Sequence, residues 1–130
     1  MFASVFVLLY VAHTLADYPL QTDQIADHKA DRTAAGWIYN LAHAGIHVLV
    51  SAVALGAGVV VPGLGLTPAK IAAVVAWVGC SHAFIDRRWP IVWWMEHTGQ
   101  REYVKIGGVA TVDQAAHLGA LAIAALAAAA

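Results

Sequence analysis

The chain has 130 residues, of which 61% are hydrophobic and 12% are charged, and its formal net charge is −1. Soluble domains average roughly 45–50% apolar and about 25% charged residues, so this composition is typical of an integral membrane protein. The near-neutral charge excludes the basic surface that nucleic-acid binding needs. The single cysteine, Cys80, excludes an internal disulfide and a cysteine-rich zinc site, and we expect it to pack as an inert apolar residue.

Apolar stretches taken in chain order predict a single domain with four membrane-spanning helices, at about residues 2–17, 37–61, 69–86 and 109–130. No Lys or Arg precedes the first stretch, and no clear cleavage site follows it. The first stretch is therefore predicted to be a retained helix rather than a signal peptide. Because it is short for a membrane span, we expect the helix to continue past Asp17 until Pro19 interrupts it.

The segments between the spans predict how the spans are connected. Residues 18–36 are polar, and we expect them to lie in solvent with a short helix capped by Thr22. The stretch from Pro62 to Pro68 predicts a tight turn and an antiparallel return. Residues 91–106 mix tryptophans with charged residues, which is typical of a segment lying in the membrane interface. The predicted fold is an all-α, up-down-up-down bundle of four transmembrane helices, with this interfacial segment between the third and fourth.

Every predicted span carries two metal-capable side chains four residues apart. Residues at this spacing lie on one face of a helix, about 6 Å apart along its axis. The pairs lie near the C-terminal ends of the first and third spans and near the N-terminal ends of the second and fourth. In an up-down bundle these ends share one membrane side, so the pairs are expected to converge there: His13 and Asp17, His43 and His47, His82 and Asp86, and Asp113 and His117.

The order of the pairs along the helices predicts two layers of ligands. The deep layer is His13, His47, His82 and His117, and the shallow layer is Asp17, His43, Asp86 and Asp113. Two such layers, with carboxylates able to bridge them, suit a dinuclear centre with metals roughly 3.5–4 Å apart. Imidazole and carboxylate without thiolate favour two Zn ions, with Fe or Mn as alternatives. Candidates for orienting the ligands are Gln21, Asn40, Ser81 and Gln114.

Positive charge predicts the orientation of the bundle. Of the seven Lys and Arg residues, only Lys70 is expected on the side opposite the pairs. The positive-inside rule therefore predicts a bacterial inner-membrane protein with the site towards the cytoplasm and both termini outside.

The paired motifs also carry a resemblance to a known family. They are His13-x-x-x-Asp17-x-Pro-Leu-Gln21-Thr-Asp23, His43-x-x-x-His47, Ser81-His82-x-x-x-Asp86-Arg87 and Asp113-Gln114-x-x-His117. In these motifs the chain resembles a phage and bacterial family of small four-span membrane proteins catalogued as a domain of unknown function. More loosely, it is similar to bacterial membrane proteins described as metal-dependent hydrolases. The resemblance implies that the matched residues form the site.

These observations favour a metal-dependent hydrolase acting on a lipid or a lipid phosphate. A bound metal would generate hydroxide near neutral pH, and Asp17, Asp86 or Asp113 would act as general base. Arg87 and Arg88 are candidates for holding a phosphate headgroup, although positive-inside anchoring is the simpler explanation for them.

The same residues are also compatible with other functions. One is a di-iron lipid oxidase or hydroxylase. Another is a non-enzymatic protein, either a carrier or a phage or host-interaction protein with a structural metal. Without metal, the pairs would form a proton path or hydrogen bonds between helices. The tryptophans at 89–94 predict either a rim for lipid entry or an interfacial belt. The protein's partner is the lipid bilayer, and a homodimer is an alternative to a monomer.

Overall fold

The structure, a computed structural model, describes residues 1–61 and 63–130, so Pro62 of the predicted turn lies outside the described residues. Within these ranges the chain is helical and contains no strand. The helices are α1 (Phe2–Asp17), α2 (Asp23–His28), α3 (Ala34–Val60), α4 (Pro68–Ile85), α5 (Trp89–His97), α6 (Arg101–Lys105) and α7 (Val109–Ala129).

Threonine side chains set the start of three helices. The hydroxyl of Thr22 accepts a hydrogen bond from the N–H of Ile25 at the start of α2, where the sequence predicts a cap. Thr33 and Thr67 cap α3 and α4 in the same way. Each hydroxyl satisfies a backbone N–H that the first helical turn leaves without a partner.

Helix α1 ends earlier than the sequence predicts. It ends at Asp17, and the N–H of Tyr18 closes the last turn on the carbonyl of Thr14. The expected extension past Asp17 is therefore wrong, because Pro19 has no N–H to continue the helix. The helix has 16 residues, about 24 Å at 1.5 Å per residue, and Asp17 stands in its last turn.

Three helices are long and apolar enough to cross a membrane, namely α3, α4 and α7, while α1 is a shorter apolar helix. Large apolar side chains are exposed on the outer faces of the bundle, including Val11, Leu49, Val53, Ile123 and Leu126. Cys80 is also exposed, on the outer face of α4. An apolar exterior around buried polar groups indicates membrane association.

The four long helices pack around a common interior. Helix α1 contacts α3 and α7, and α4 contacts the same two helices. The main apolar core lies in the half of the bundle away from the paired residues and contains Val5, Leu9, Leu55, Leu66, Val74, Val78, Leu121, Ala124, Ala125 and Ala128. A second, smaller core of Ile85, Ile91 and Met95 holds α5 against α4 and α7.

Helices α3 and α4 approach closely at Gly79, where an added Cβ would lie 2.7 Å from Cγ2 of Val48. We expect Gly79→Leu to lower the thermal unfolding midpoint, because overpacking costs about 1–3 kcal/mol. The matched control is Gly119→Leu on α7, where a Cβ meets no atom within 4 Å. Equal midpoints for the two variants in detergent would contradict the close contact between α3 and α4.

Candidate metal centre

The carboxylate of Asp17 contacts imidazoles from three helices. On its own helix, Nε2 of His13 lies 3.1 Å from Oδ2, the neighbouring position that the four-residue spacing predicts. From α3, Nε2 of His43 and Nε2 of His47 lie 3.2 and 3.1 Å from Oδ1. Nε2 of His82 on α4 lies 3.9 Å from the same oxygen. Each of the two oxygens of Asp17 therefore faces a different set of imidazoles.

Asp86 likewise contacts imidazoles from three helices, on the other side of the cluster. It directly follows α4, and its Oδ2 lies 3.1 Å from Nε2 of His82 and 3.5 Å from Nε2 of His43. Its Oδ1 lies 3.4 Å from Nε2 of His117 on α7. Asp113, one turn earlier on α7, contacts His117 at 3.5 Å and is the more exposed carboxylate, at 20%.

All eight residues that the sequence predicts as ligands are thus brought together at one end of the bundle. The five histidines are at most 3% exposed. The rings predicted as the deep layer touch one another, with centroid distances of 5.1 Å for His13–His47, 3.5 Å for His47–His82, 4.3 Å for His82–His117 and 5.1 Å for His13–His117. His43 joins this cluster through His47 and His82.

The donor atoms fall into three overlapping groups in which all atoms lie within 4.8 Å of one another. The groups are Asp17, His43, His47 and His82; His13, His82 and His117; and Asp86, Asp113 and His117. Ligand atoms about 2.1 Å from one zinc ion lie at most about 4.2 Å apart. Around a tetrahedral zinc ion the ligand atoms lie about 3.4 Å apart, so the widest pairs in each group would have to move closer to bind one ion.

Several buried atoms of the cluster lack a hydrogen-bond partner among the described residues. They are Nε2 of His13, Nδ1 of His43, Nδ1 of His47, Nε2 of His82 and Oδ2 of Asp86, the last of which forms an ion pair with Lys29 instead. His82 and Asp86 lie within 3.1 Å of each other, yet the geometry of a hydrogen bond is not met. In addition, Nε2 of His43 and Nε2 of His47 lie 3.3 Å apart and face the same oxygen of Asp17. Lone pairs of the Nε2 atoms directed at a shared cation would satisfy these nitrogens together, so the set of imidazoles and carboxylates fits a metal.

Lys29 is a site residue that the sequence analysis missed. Its Nζ lies 2.9 Å from Oδ2 of Asp86, and its side chain is only 19% exposed. The segment 18–36 was expected to lie in solvent, but buried Ile25 anchors α2, and α2 packs on α3. The only local signal was Ile25 within a polar helix, since the contact of Lys29 joins residues 57 positions apart.

The four residues predicted to orient ligands have different surroundings. Asn40 is fully buried, and neither of its amide atoms has a partner among the described residues. It precedes His43 by one helical turn, so it remains our candidate for orienting that ring. Gln21 donates to the backbone carbonyl of Asp17, and Gln114 lines the cavity described below. Ser81 donates to the carbonyl of Trp77 on its own helix, which leaves its hydroxyl proton unavailable to the site.

The two arginines after α4 have separate environments. Arg87 is buried, donates to the carbonyls of Lys29 and Asp31, and stacks on the ring of Trp37 at 4.3 Å. Each terminal nitrogen of Arg87 donates one hydrogen bond to the segment after α2, so Arg87 holds that segment in place. Arg88 is exposed and has a φ of 60°, a strained value for a residue other than glycine.

A cavity of about 360 Å³ opens beside the cluster. Its lining includes Asp86 and Asp113 from the cluster, together with Lys29, Arg88 and Gln114. The Asp86–Asp113 edge is therefore the part of the cluster that a small molecule can approach.

Residues 5–130 match the family described as "Protein of unknown function (DUF3307)", and the chain belongs to this family. Comparison with curated proteins and with solved structures finds no match.

If the cluster holds metal, chelation should lower the thermal midpoint of the purified protein. Ligand at about 100 times its Kd adds about 2.7 kcal/mol, which corresponds to roughly 10 °C for a small domain. We expect this shift to disappear in His47→Ala, whose ring contacts Asp17.

The control for this prediction is His97→Ala, because His97 is exposed and contacts the backbone of Trp93, away from the cluster. A chelator shift that is the same in His47→Ala and His97→Ala would place the metal elsewhere.

Proposed function

We propose that the chain is a four-span membrane protein with an up-down-up-down bundle in the bacterial inner membrane. The C-terminal ends of α1 and α4 contact the N-terminal halves of α3 and α7 through the paired residues, which supports alternating helix directions. Positive charge near this end supports a cytoplasmic site. Helix α1 would span with its 16 residues by local thinning of the bilayer.

The proposed site is a dinuclear centre that the eight residues of the cluster would hold, with Asp17 and Asp86 as its central carboxylates. One oxygen of Asp17 faces His13 and the other faces His43 and His47. The oxygens of Asp86 face His117 and His82 in the same way. Each of these carboxylates would therefore have both oxygens available to a pair of metals, whose role would be to supply Lewis-acid chemistry. Zn is the first candidate, with Fe or Mn as alternatives.

The function that this geometry supports best is metal-dependent hydrolysis of a lipid phosphate ester. The observation that carries the proposal is the cavity that ends on Asp86 and Asp113 and is also lined by Lys29 and Arg88. The cationic side chains that line the cavity would attract an anionic substrate there. A closed structural site would need no such approach to its ligands.

The residues at the cavity edge suggest separate roles. When bound, the metals would supply a water-derived nucleophile near neutral pH. Asp113 is our candidate general base, because it is the most exposed carboxylate of the cluster and contacts only His117 within it. In the reaction the oxygen of water bonds to phosphorus, the P–O bond to the leaving alcohol breaks, and the alcohol takes a proton. Lys29 and Arg88 would hold the phosphate oxygens.

A structural metal is the second candidate function, and the number of donors favours it. The eight side chains of the cluster can fill every position around two tetrahedral metals. In that case the metals would tie α1, α3, α4 and α7 together, and their binding energy would stabilise the fold.

Hydrolysis can be tested with the protein in mixed micelles, using phosphatidic acid as a phosphate monoester and phosphatidylglycerol as a diester. Products are followed by phosphorus NMR with Zn, Mn or Fe added. We expect turnover that requires metal and falls by about 10²–10⁴-fold in Asp113→Asn, the range for loss of a general base.

The control for the hydrolysis test is Asp23→Asn, an exposed carboxylate on α2 outside the cluster. A protein that binds metal but hydrolyses neither ester would contradict the hydrolase and leave the structural role.

A further inference from the structure

A surface groove outside the metal cluster combines arginines with tryptophans. It consists of two adjoining depressions of about 390 Å³ each, which share Arg32, Arg87 and Trp89. The first is also lined by Ala30, Arg88, Val92, Trp93 and Glu96, and the second by Trp37. We call these lining residues together the arginine groove. Its walls come from the segment after α2, the segment after α4, the first turn of α3 and one side of α5 from Trp89 to Glu96.

The charge of the arginine groove is positive. Three arginines line it against one carboxylate, that of Glu96. Arg32 and Arg88 are exposed, and neither forms an ion pair within residues 1–61 and 63–130. Arg87 lies beneath them with its terminal nitrogens bound to backbone carbonyls. Two uncommitted guanidinium groups therefore face the solvent side of a cationic surface, and their planar forks suit phosphate oxygens.

The apolar part of the groove suits the membrane interface. Trp37, Trp89 and Trp93 are 49%, 46% and 57% exposed. Tryptophans in a membrane protein concentrate at the level of the lipid headgroups, where the ring contacts acyl chains and the indole N–H reaches polar groups. Phosphate-binding and chain-binding surfaces thus lie side by side.

The arginine groove also adjoins the cavity of the metal cluster. Ala30 and Arg88 line both. Arg88 stands at the junction, and its positive φ places it at the sharp turn between α4 and α5. A headgroup held in the groove would lie next to the cavity that ends on Asp86 and Asp113.

We infer that the arginine groove binds the phosphate of an anionic phospholipid from the surrounding bilayer, with Arg32 and Arg88 as its ligands. This inference rests on the membrane location in the proposed function, and it holds whether or not the metal cluster is catalytic. Arg32 was not among the phosphate candidates read from the sequence, whereas Arg88 was.

Native mass spectrometry of the detergent-solubilised protein tests the site with two probes of equal chain length, phosphatidylglycerol and phosphatidylcholine. We expect tighter binding of phosphatidylglycerol in the wild type. Arg32→Gln and Arg88→Gln should each weaken its binding by roughly five-fold, the effect of about one interfacial charge. Metal content, measured in the same samples, should stay at the wild-type value and so separates this site from the metal centre.

The matched control is Arg101→Gln on α6, which removes one exposed arginine outside the groove. It should leave phosphatidylglycerol binding unchanged. Equal affinity for the two lipids, or equal weakening by Arg101→Gln and Arg32→Gln, would overturn the site. Inorganic phosphate added at constant ionic strength should not displace the lipid. Displacement would show that the groove binds free phosphate rather than a lipid.

Discussion

The structure depends on the contact of five imidazoles with two carboxylates, the largely buried Asp17 and the buried Asp86. Removing a carboxylate from water costs several kcal/mol, and the cost is recovered only when good partners surround it. Here the partners come from all four long helices, so the cluster can form only when these helices are correctly aligned. The cluster therefore fixes the register of the bundle at one end, while apolar packing around Leu9 and Leu55 fixes it at the other.

The short segments outside the bundle make contacts at this polar end. Helix α2 lies on α3 and brings Lys29 to Asp86 as a counter-charge. Arg87 reaches back from the end of α4 to the backbone at Lys29 and Asp31 and so holds that segment in place. With the cluster closed on these sides, the Asp86–Asp113 edge faces the cavity. Most of the cluster is thus buried, while one edge of it is accessible from the cavity. A catalytic centre needs such access, whereas a structural metal site does not.

The sequence predicted the helices and the convergence of the pairs because both follow from local rules. Apolar length located the long helices to within a few residues, and the spacing of four placed each pair on one face. Contacts between residues far apart in the sequence could not be predicted. Lys29 forms an ion pair with Asp86, and Arg87 donates hydrogen bonds to backbone carbonyls, because the segment that contains α2 packs next to the end of α4. The carboxylate of Asp17 contacts His13 of the predicted deep layer and His43 of the predicted shallow layer, as expected for a carboxylate between the two layers.

The central claim is that these eight residues bind metal, and counting metals per chain tests it most directly. The protein would be purified in mild detergent without chelator, and bound elements would be counted by elemental mass spectrometry. We predict about two Zn, Fe or Mn per chain, with loss of metal when either His47 or His82 is replaced by Ala. No bound metal in a wild-type protein that folds normally would contradict it, and the cluster would then be a hydrogen-bonded or proton-conducting network.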